Sequence, residues 1–172
     1  MTLSRDTLQQ IADQVATQLR ERGLDQEAGN ILLPPEEESF QPVQVAPGDN
    51  TVLASYIDHT LLKPEATEQA IKKICREARE HRFASVCINP CFVPVAAREL
   101  GGTGIRVCTV IGFPLGASTS ATKSYEAQDA VESGAHELDM VLNVGLLKEG
   151  FYDYVYQDIL AVVTAGQHRT VK

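Results

Sequence analysis

From Ser55 onward, short β-branched runs alternate with stretches whose apolar residues recur at helical spacing, and few folds accommodate that alternation. The runs are Tyr56–Thr60, Ala84–Asn89, Arg106–Gly112, Glu137–Asn143 and a last fragment, Thr170–Lys172. Each is short and largely apolar, as in a strand buried on both faces. Between them, Thr67 can cap a helix with the stripe Ala70, Ile71, Ile74, Cys75 and Ala78, and Val93, Ala96, Ala97 and Leu100 form a shorter one ended by Gly101-Gly102. A third helix spans Ser118–Ser133 before Gly134, and a fourth carries Tyr152, Val155, Ile159, Val162 and Val163 before Gly166. Strand-helix repetition of this kind predicts an α/β fold with a parallel sheet joined by helical crossovers. Periodicity alone leaves an open doubly wound sheet and a closed barrel both available. The first strand is not followed by GxGxxG, so a dinucleotide-binding fold loses support.

The first fifty residues are different in kind. They hold three basic and nine acidic residues, against twelve and fourteen in the remainder, so the net charge of -8 is mostly N-terminal. Leu8, Ile11, Val15 and Leu19 fall on one helical stripe, with Gly23 as a stop, and are expected to cover apolar surface on the fold or on a partner subunit. Asp25–Asn50 contains Pro34, Pro35, Pro42, Pro47 and a Glu36–Glu38 run, the composition of a linker or a loosely draped arm. Two regions are therefore expected: 1–50, a helix and acidic Pro-rich arm, and 51–172, the folded βα series. The acidic balance argues against nucleic acid and against anionic membrane surfaces as partners. The N-terminus lacks the apolar core of a signal peptide and no run is long enough to span a bilayer, so a cytoplasmic location is expected. Cys75, Cys87, Cys91 and Cys108 form no CxxC pair, and the four histidines are isolated, so neither a metal nor a cofactor is expected.

In parallel βα folds, ligands gather at the C-terminal strand ends, which directs attention to polar residues inside or closing the apolar runs. Asp139 lies between Leu138 and Met140, where a buried carboxylate costs several kcal/mol unless it is compensated; it serves chemistry or pairs with a neighbouring strand. Lys172 follows Val171 at the end of a strand, where it is either reactive or simply terminal. Asp58 and Thr60 suit a substrate hydroxyl as well as a turn. Cys87 is core by type, although its strand could let it line a pocket. The glycines of Gly112-Phe113-Pro114-Leu115-Gly116 call for nothing beyond backbone geometry in a tight loop.

Taken together, Tyr56-Ile57-Asp58-His59-Thr60-Leu61-Leu62-Lys63-Pro64, Ser85-Val86-Cys87-Ile88-Asn89-Pro90, the string from Val107 to Gly116 and the string from Glu137 to Gly145 resemble the deoxyribose-phosphate aldolase family. The likeness runs from about Ser55 to Lys172, in order. It implies a parallel (β/α)8 barrel, here about four βα units and the start of a fifth strand behind an N-terminal helix. It also implies reversible cleavage of 2-deoxy-D-ribose 5-phosphate to D-glyceraldehyde 3-phosphate and acetaldehyde through a lysine Schiff base. By resemblance Lys172 is the nucleophile, Asp139 the proton-relay carboxylate, and Asp58, Thr60 and Cys87 line the substrate pocket; no cofactor is implied, the partners are a small sugar phosphate and acetaldehyde, and a homo-oligomer is left open. The family's barrel carries three further units with a second lysine and phosphate-binding loops, so this polypeptide is expected to be weakly active or inactive and marginally stable at its open sheet edges. Two other readings stand beside this one: a Schiff-base aldolase for a different sugar phosphate, and a noncatalytic α/β binding module whose acidic arm is the interaction element.

Overall fold

The computed structural model describes residues 5–21, 23 and 50–172. Helix α1 covers Arg5–Glu21, followed by Gly23 in the left-handed region. The Pro-rich arm lies outside the described residues, as do the side chains of Leu8, Ile11, Val15 and Leu19. Ala12 and Ala16 of α1 are buried, and the helix lies against the last long helix of the fold.

The folded series begins with α2 (Asn50–Ala54) and β1 (Asp58–Leu61), then α3 (Glu68–His81), β2 (Ser85–Ile88), α4 (Val93–Leu100) and β3 (Arg106–Ile111). It continues with α5 (Ser120–Glu132), β4 (Glu137–Met140), α6 (Val144–Lys148), α7 (Tyr152–Ala165) and β5 (Thr170–Val171). All five strands pair in parallel in sequence order, as expected of an incomplete barrel.

Local chemistry sets the boundaries. Thr67 accepts a hydrogen bond from the Ala70 amide and starts α3, and Arg82, in the left-handed conformation, ends it. Thr119 does the same for α5 through the Thr122 amide, so this helix starts two residues later than its sequence pattern suggests. The core lies between the sheet and the helices, where Ile71, Ile74, Cys75 and Ala78 of α3 meet Val86 and Ile88 of β2, and Val93, Ala96 and Leu100 of α4 meet Val107 and Ile111 of β3.

Two expectations need correction. The strands are not uniformly buried on both faces: β2 is, but β1 alternates between exposed and half-buried residues, because it is an edge strand and, among the described residues, no helix covers the inner face of the sheet. The buried stripe of α7 is also not the one expected. Val155 and Val162 are buried, but Tyr152 is exposed and Ile159 and Val163 are only half-buried, while Tyr156, Asp158 and Leu160 are inside. This helix is gripped from more than one side, by α5, α6 and α1, so no single stripe describes it.

Asp158 marks a feature with no counterpart in the sequence reading. Its Oδ2 accepts a hydrogen bond from Lys123 Nζ at 2.6 Å with both side chains fully buried, and the same ammonium donates to the Val141 carbonyl at 2.9 Å. One turn further along α5, Glu126 accepts the Gly112 amide at 2.7 Å. The loops leaving β3 and β4 are thus fastened to the outer helices. Gly112 and Gly116 have positive φ, and a Cβ on Gly116 would lie 1.9 Å from the Leu142 carbonyl oxygen, so the two loops meet only because position 116 has no side chain.

Candidate active site

Strand alternation sorts the residues onto two faces. The register rows Asp58–Ser85–Arg106 and Thr60–Cys87–Cys108–Glu137–Thr170, with Val110 beside Asp139, place these residues on one face, while Val86, Ile88, Val107, Ile111 and Leu138 join the helix-side core. The inner face therefore combines a small apolar patch of Cys87, Cys108 and Val110 with an array of ionisable groups.

Lys172 extends the register of β5. Its amide donates to the Leu138 carbonyl at 2.9 Å and its carbonyl accepts from Met140 at 2.7 Å, which seats it beside Asp139. Its ammonium contacts the Asp58 carboxylate directly and donates to Glu137 Oε2 at 3.0 Å. Ser85 Oγ donates to the other Asp58 oxygen at 2.6 Å, and Arg106 Nε lies 2.6 Å from Glu137 Oε1. Both carboxylates are thus engaged on both oxygens.

This contact also measures the curvature of the sheet. In a flat sheet β1 and β5 would be four strand spacings apart, about 19 Å. A lysine, an aspartate and one hydrogen bond reach at most about 12 Å. The sheet must therefore curl into an arc with its first and last strands facing across the hollow, as in one side of a barrel.

Partial burial works against the charge on Lys172, but the hydrogen bonds to Asp58 and Glu137 outweigh it and hold the ammonium well above the ordinary lysine range. Burial likewise opposes the charge on Asp58, yet Lys172 and Ser85 hold its carboxyl below the usual carboxylate range. The carboxylates that keep Lys172 protonated are thus Asp58 and Glu137. Each is the first residue of its strand, so the ammonium dips toward the floor of the arc and away from the rim.

The sequence-predicted residues share this inner face but split into two groups. Lys172 and Asp58 touch, with Glu137, which sequence reasoning missed, completing the set. Cys87 and Asp139 form a second group with Cys108, their ligand-capable atoms all within 4.8 Å of one another. The Cys108 thiol donates toward Cys87; this lowers the Cys87 thiol and, with burial, raises that of Cys108. Thr60 turns its hydroxyl to the Asp58 backbone carbonyl, 2.8 Å away, and does not meet the Asp58 carboxylate. Glu137 was readable in principle, since a period of two puts it on the same face as Asp139.

A protein-family model described as DeoC/LacD family aldolase matches residues 52–170. The chain belongs to the DeoC/LacD aldolase family. It is 57% identical over 119 residues to the deoxyribose-phosphate aldolase of Clostridium novyi, covering 69% of this chain and 54% of that one. It is 61% identical over 113 residues to the enzyme of the same name from Caldanaerobacter subterraneus, covering 66% and 49%. Among solved structures, the tetrameric deoxyribose phosphate aldolase of Aeropyrum pernix superposes with a TM-score of 0.62 at 34% identity, over 72% of this chain and 52% of that one. The chain thus spans about half the length of the curated relatives it matches.

Proposed function

We propose that this chain supplies the nucleophile-bearing part of a Schiff-base aldolase acting on 2-deoxy-D-ribose 5-phosphate, with Lys172 as nucleophile. The observation that carries the reading is the placement of Lys172 just past β5, among ionisable groups on the concave face, in a chain 57% identical to a named deoxyribose-phosphate aldolase. The neutral amine adds to the sugar aldehyde and water leaves. The resulting iminium draws the electron pair of the breaking carbon–carbon bond, giving an enamine of acetaldehyde and releasing D-glyceraldehyde 3-phosphate. The proton of the cleaved hydroxyl passes to Asp139 through water and later returns to the enamine carbon, and water then hydrolyses the resulting iminium, releasing acetaldehyde and the free amine. Asp58 and Glu137 act before this, by holding the amine charged on the floor of the arc. Cys87 and Thr60 are proposed as walls of the pocket.

In this reading the 172-residue chain turns over little substrate at neutral pH, because its nucleophile is protonated and salt-bridged. Acetaldehyde with borohydride tests this directly. The adduct is expected on Lys172, with a yield that climbs as the pH rises. Modification of other lysines with Lys172 untouched across the pH range overturns the assignment. A cytoplasmic location and an oligomeric assembly are part of the same proposal, the latter supported by the tetramer described for the Aeropyrum pernix relative. Among the described residues no helix is long and apolar enough to cross a membrane.

A further inference from the structure

We propose that Lys123 on α5 is a positioning residue: it fixes the exit of β4, so that Asp139 keeps its place against the backbone of Lys172. This role rests on the reading of Lys172 as nucleophile and Asp139 as proton relay. Asp139 is bracketed by two bonds to Lys172, whose amide donates to the Leu138 carbonyl at 2.9 Å and whose carbonyl accepts from the Met140 amide at 2.7 Å. Beyond the strand, the Val141 amide donates to the Ile111 carbonyl at 2.9 Å. In a continued parallel ladder the Val141 carbonyl would then accept the amide two residues past Ile111, that of Phe113. Gly112, with φ +68°, turns the chain away there, and the Lys123 ammonium takes the vacated place, donating to the Val141 carbonyl at 2.9 Å. The lysine stem runs across Gly112, where an added Cβ would lie 2.8 Å from Lys123 Cε.

Net stability does not account for this arrangement. Exchanging a buried ion pair for apolar residues of similar volume is often neutral or stabilising, and this pair is incompletely matched, since Asp158 Oδ1 is buried with no hydrogen-bond partner among the described residues. What an apolar pair cannot supply is a donor aimed at the Val141 carbonyl. Asp158 steadies that donor from α7 at 2.6 Å, and Glu126, one turn further along α5, takes the Gly112 amide at 2.7 Å. One helix thereby sets the exits of both β3 and β4. The consequence for chemistry is steep, because a misplacement of about 1 Å caused far from the reacting atoms can cost about 100-fold in rate.

The test replaces the ion pair in the 172-residue chain by two neutral pairs, Lys123→Met with Asp158→Leu, which has no donor, and Lys123→Gln with Asp158→Asn, whose donor is shorter. Amide hydrogen exchange at Met140 and Val141 is read first. It is expected to quicken at least about tenfold in both variants, while the amides of β2 keep their protection and the urea midpoint stays that of the wild type. The second readout is deuterium incorporation from heavy water into the methyl group of acetaldehyde at alkaline pH. There the Lys172 iminium loses a methyl proton through water to Asp139, becomes an enamine and takes back a deuteron, and water then releases the labelled aldehyde and the free amine. Divided by the amount of borohydride-trapped Lys172 adduct, this rate is expected to fall at least about tenfold in both variants. It is expected to hold in Lys72→Met, which removes an exposed lysine paired with Glu68. Unchanged amide exchange or an unchanged incorporation rate per adduct in a variant that folds overturns the proposal. So does unfolding of both variants, because the pair would then hold the fold and not the site. Absence of any Lys172 adduct in the wild type overturns the nucleophile reading instead, and the amide exchange still decides whether Lys123 fixes the exit of β4.

Discussion

Replacing Lys123 by alanine should bring this fold close to unfolding, although the residue never faces the inner side of the arc. Lys123 and Asp158 are both 0% exposed and lie 2.6 Å apart. Asp158 Oδ1 is already buried without a hydrogen-bond partner, so removing the ammonium strands the whole carboxylate. Breaking a buried pair from one side costs about 3–5 kcal/mol, and the lost bond to the Val141 carbonyl adds about 1 kcal/mol. Against a total stability of about 5–15 kcal/mol for an ordinary domain, that is a large share. With a urea slope of about 1–3 kcal/mol per molar, the unfolding midpoint should fall by more than about 1 M. The chain has no Trp, so the assay is circular dichroism with tyrosine fluorescence as second probe. The matched variant Lys123→Met with Asp158→Leu removes both charges and keeps the volume, and should lie within about 1 kcal/mol of wild type or above it. Equal midpoints for the single and double variants, or a cost below about 1 kcal/mol for Lys123→Ala, would refute the argument.

Other outcomes follow from the same geometry. Glu137→Gln removes one of the two carboxylates holding the Lys172 ammonium, so borohydride trapping of acetaldehyde at neutral pH should increase; an unchanged pH profile would show that Glu137 does not set the charge state. The ion pair between Asp58 and Lys172 should stabilise the fold across a bounded pH window. The lowered Asp58 acid loses its contribution as pH falls below the ordinary carboxylate range, and the raised Lys172 loses its own as pH climbs above about 10.5. Asp58→Asn should flatten the acid limb of a plot of thermal midpoint against pH, and an identical limb would count against the pair. Gly116→Ala should cost more than about 1–2 kcal/mol in urea unfolding, since left-handed backbone and the Leu142 carbonyl both oppose a Cβ there. Thr67→Ala should cost about 1 kcal/mol by the same measurement, through the lost cap on α3.

The sequence and structure agree where one physical signal dominates. The α3 stripe of Ile71, Ile74, Cys75 and Ala78 was readable because the buried residues of that helix keep to helical spacing on one face, and Thr67 was readable because capping is local. Strands β2 and β3 stood out as short, largely apolar runs, and β4 through the apolar residues around Asp139. Lys123 was hidden because it reads as a surface lysine, and only its place one turn before buried Ala127 hints that it shares the inward face. The short helix α6, at Val144–Lys148, has too few residues for a period to register. Glu137 was passed over in favour of Asp139 although the two share a face, because the partners that give it meaning, Arg106 and Lys172, come from other strands. Non-local pairing is what a sequence pattern encodes least.

The ammonium that spans the hollow from β5 to β1 sets chemistry and shape against each other. Lys172 helps hold the arc closed only while it is charged, and in the nucleophilic role proposed for it above it attacks a carbonyl only when it is not. Raising its reactivity therefore loosens the cross-strand tie that keeps the first and last strands facing each other. Selection for a faster nucleophile would have to strengthen the arc elsewhere, and selection for a more rigid arc would tend to silence the amine, a stability–activity conflict located in a single nitrogen atom.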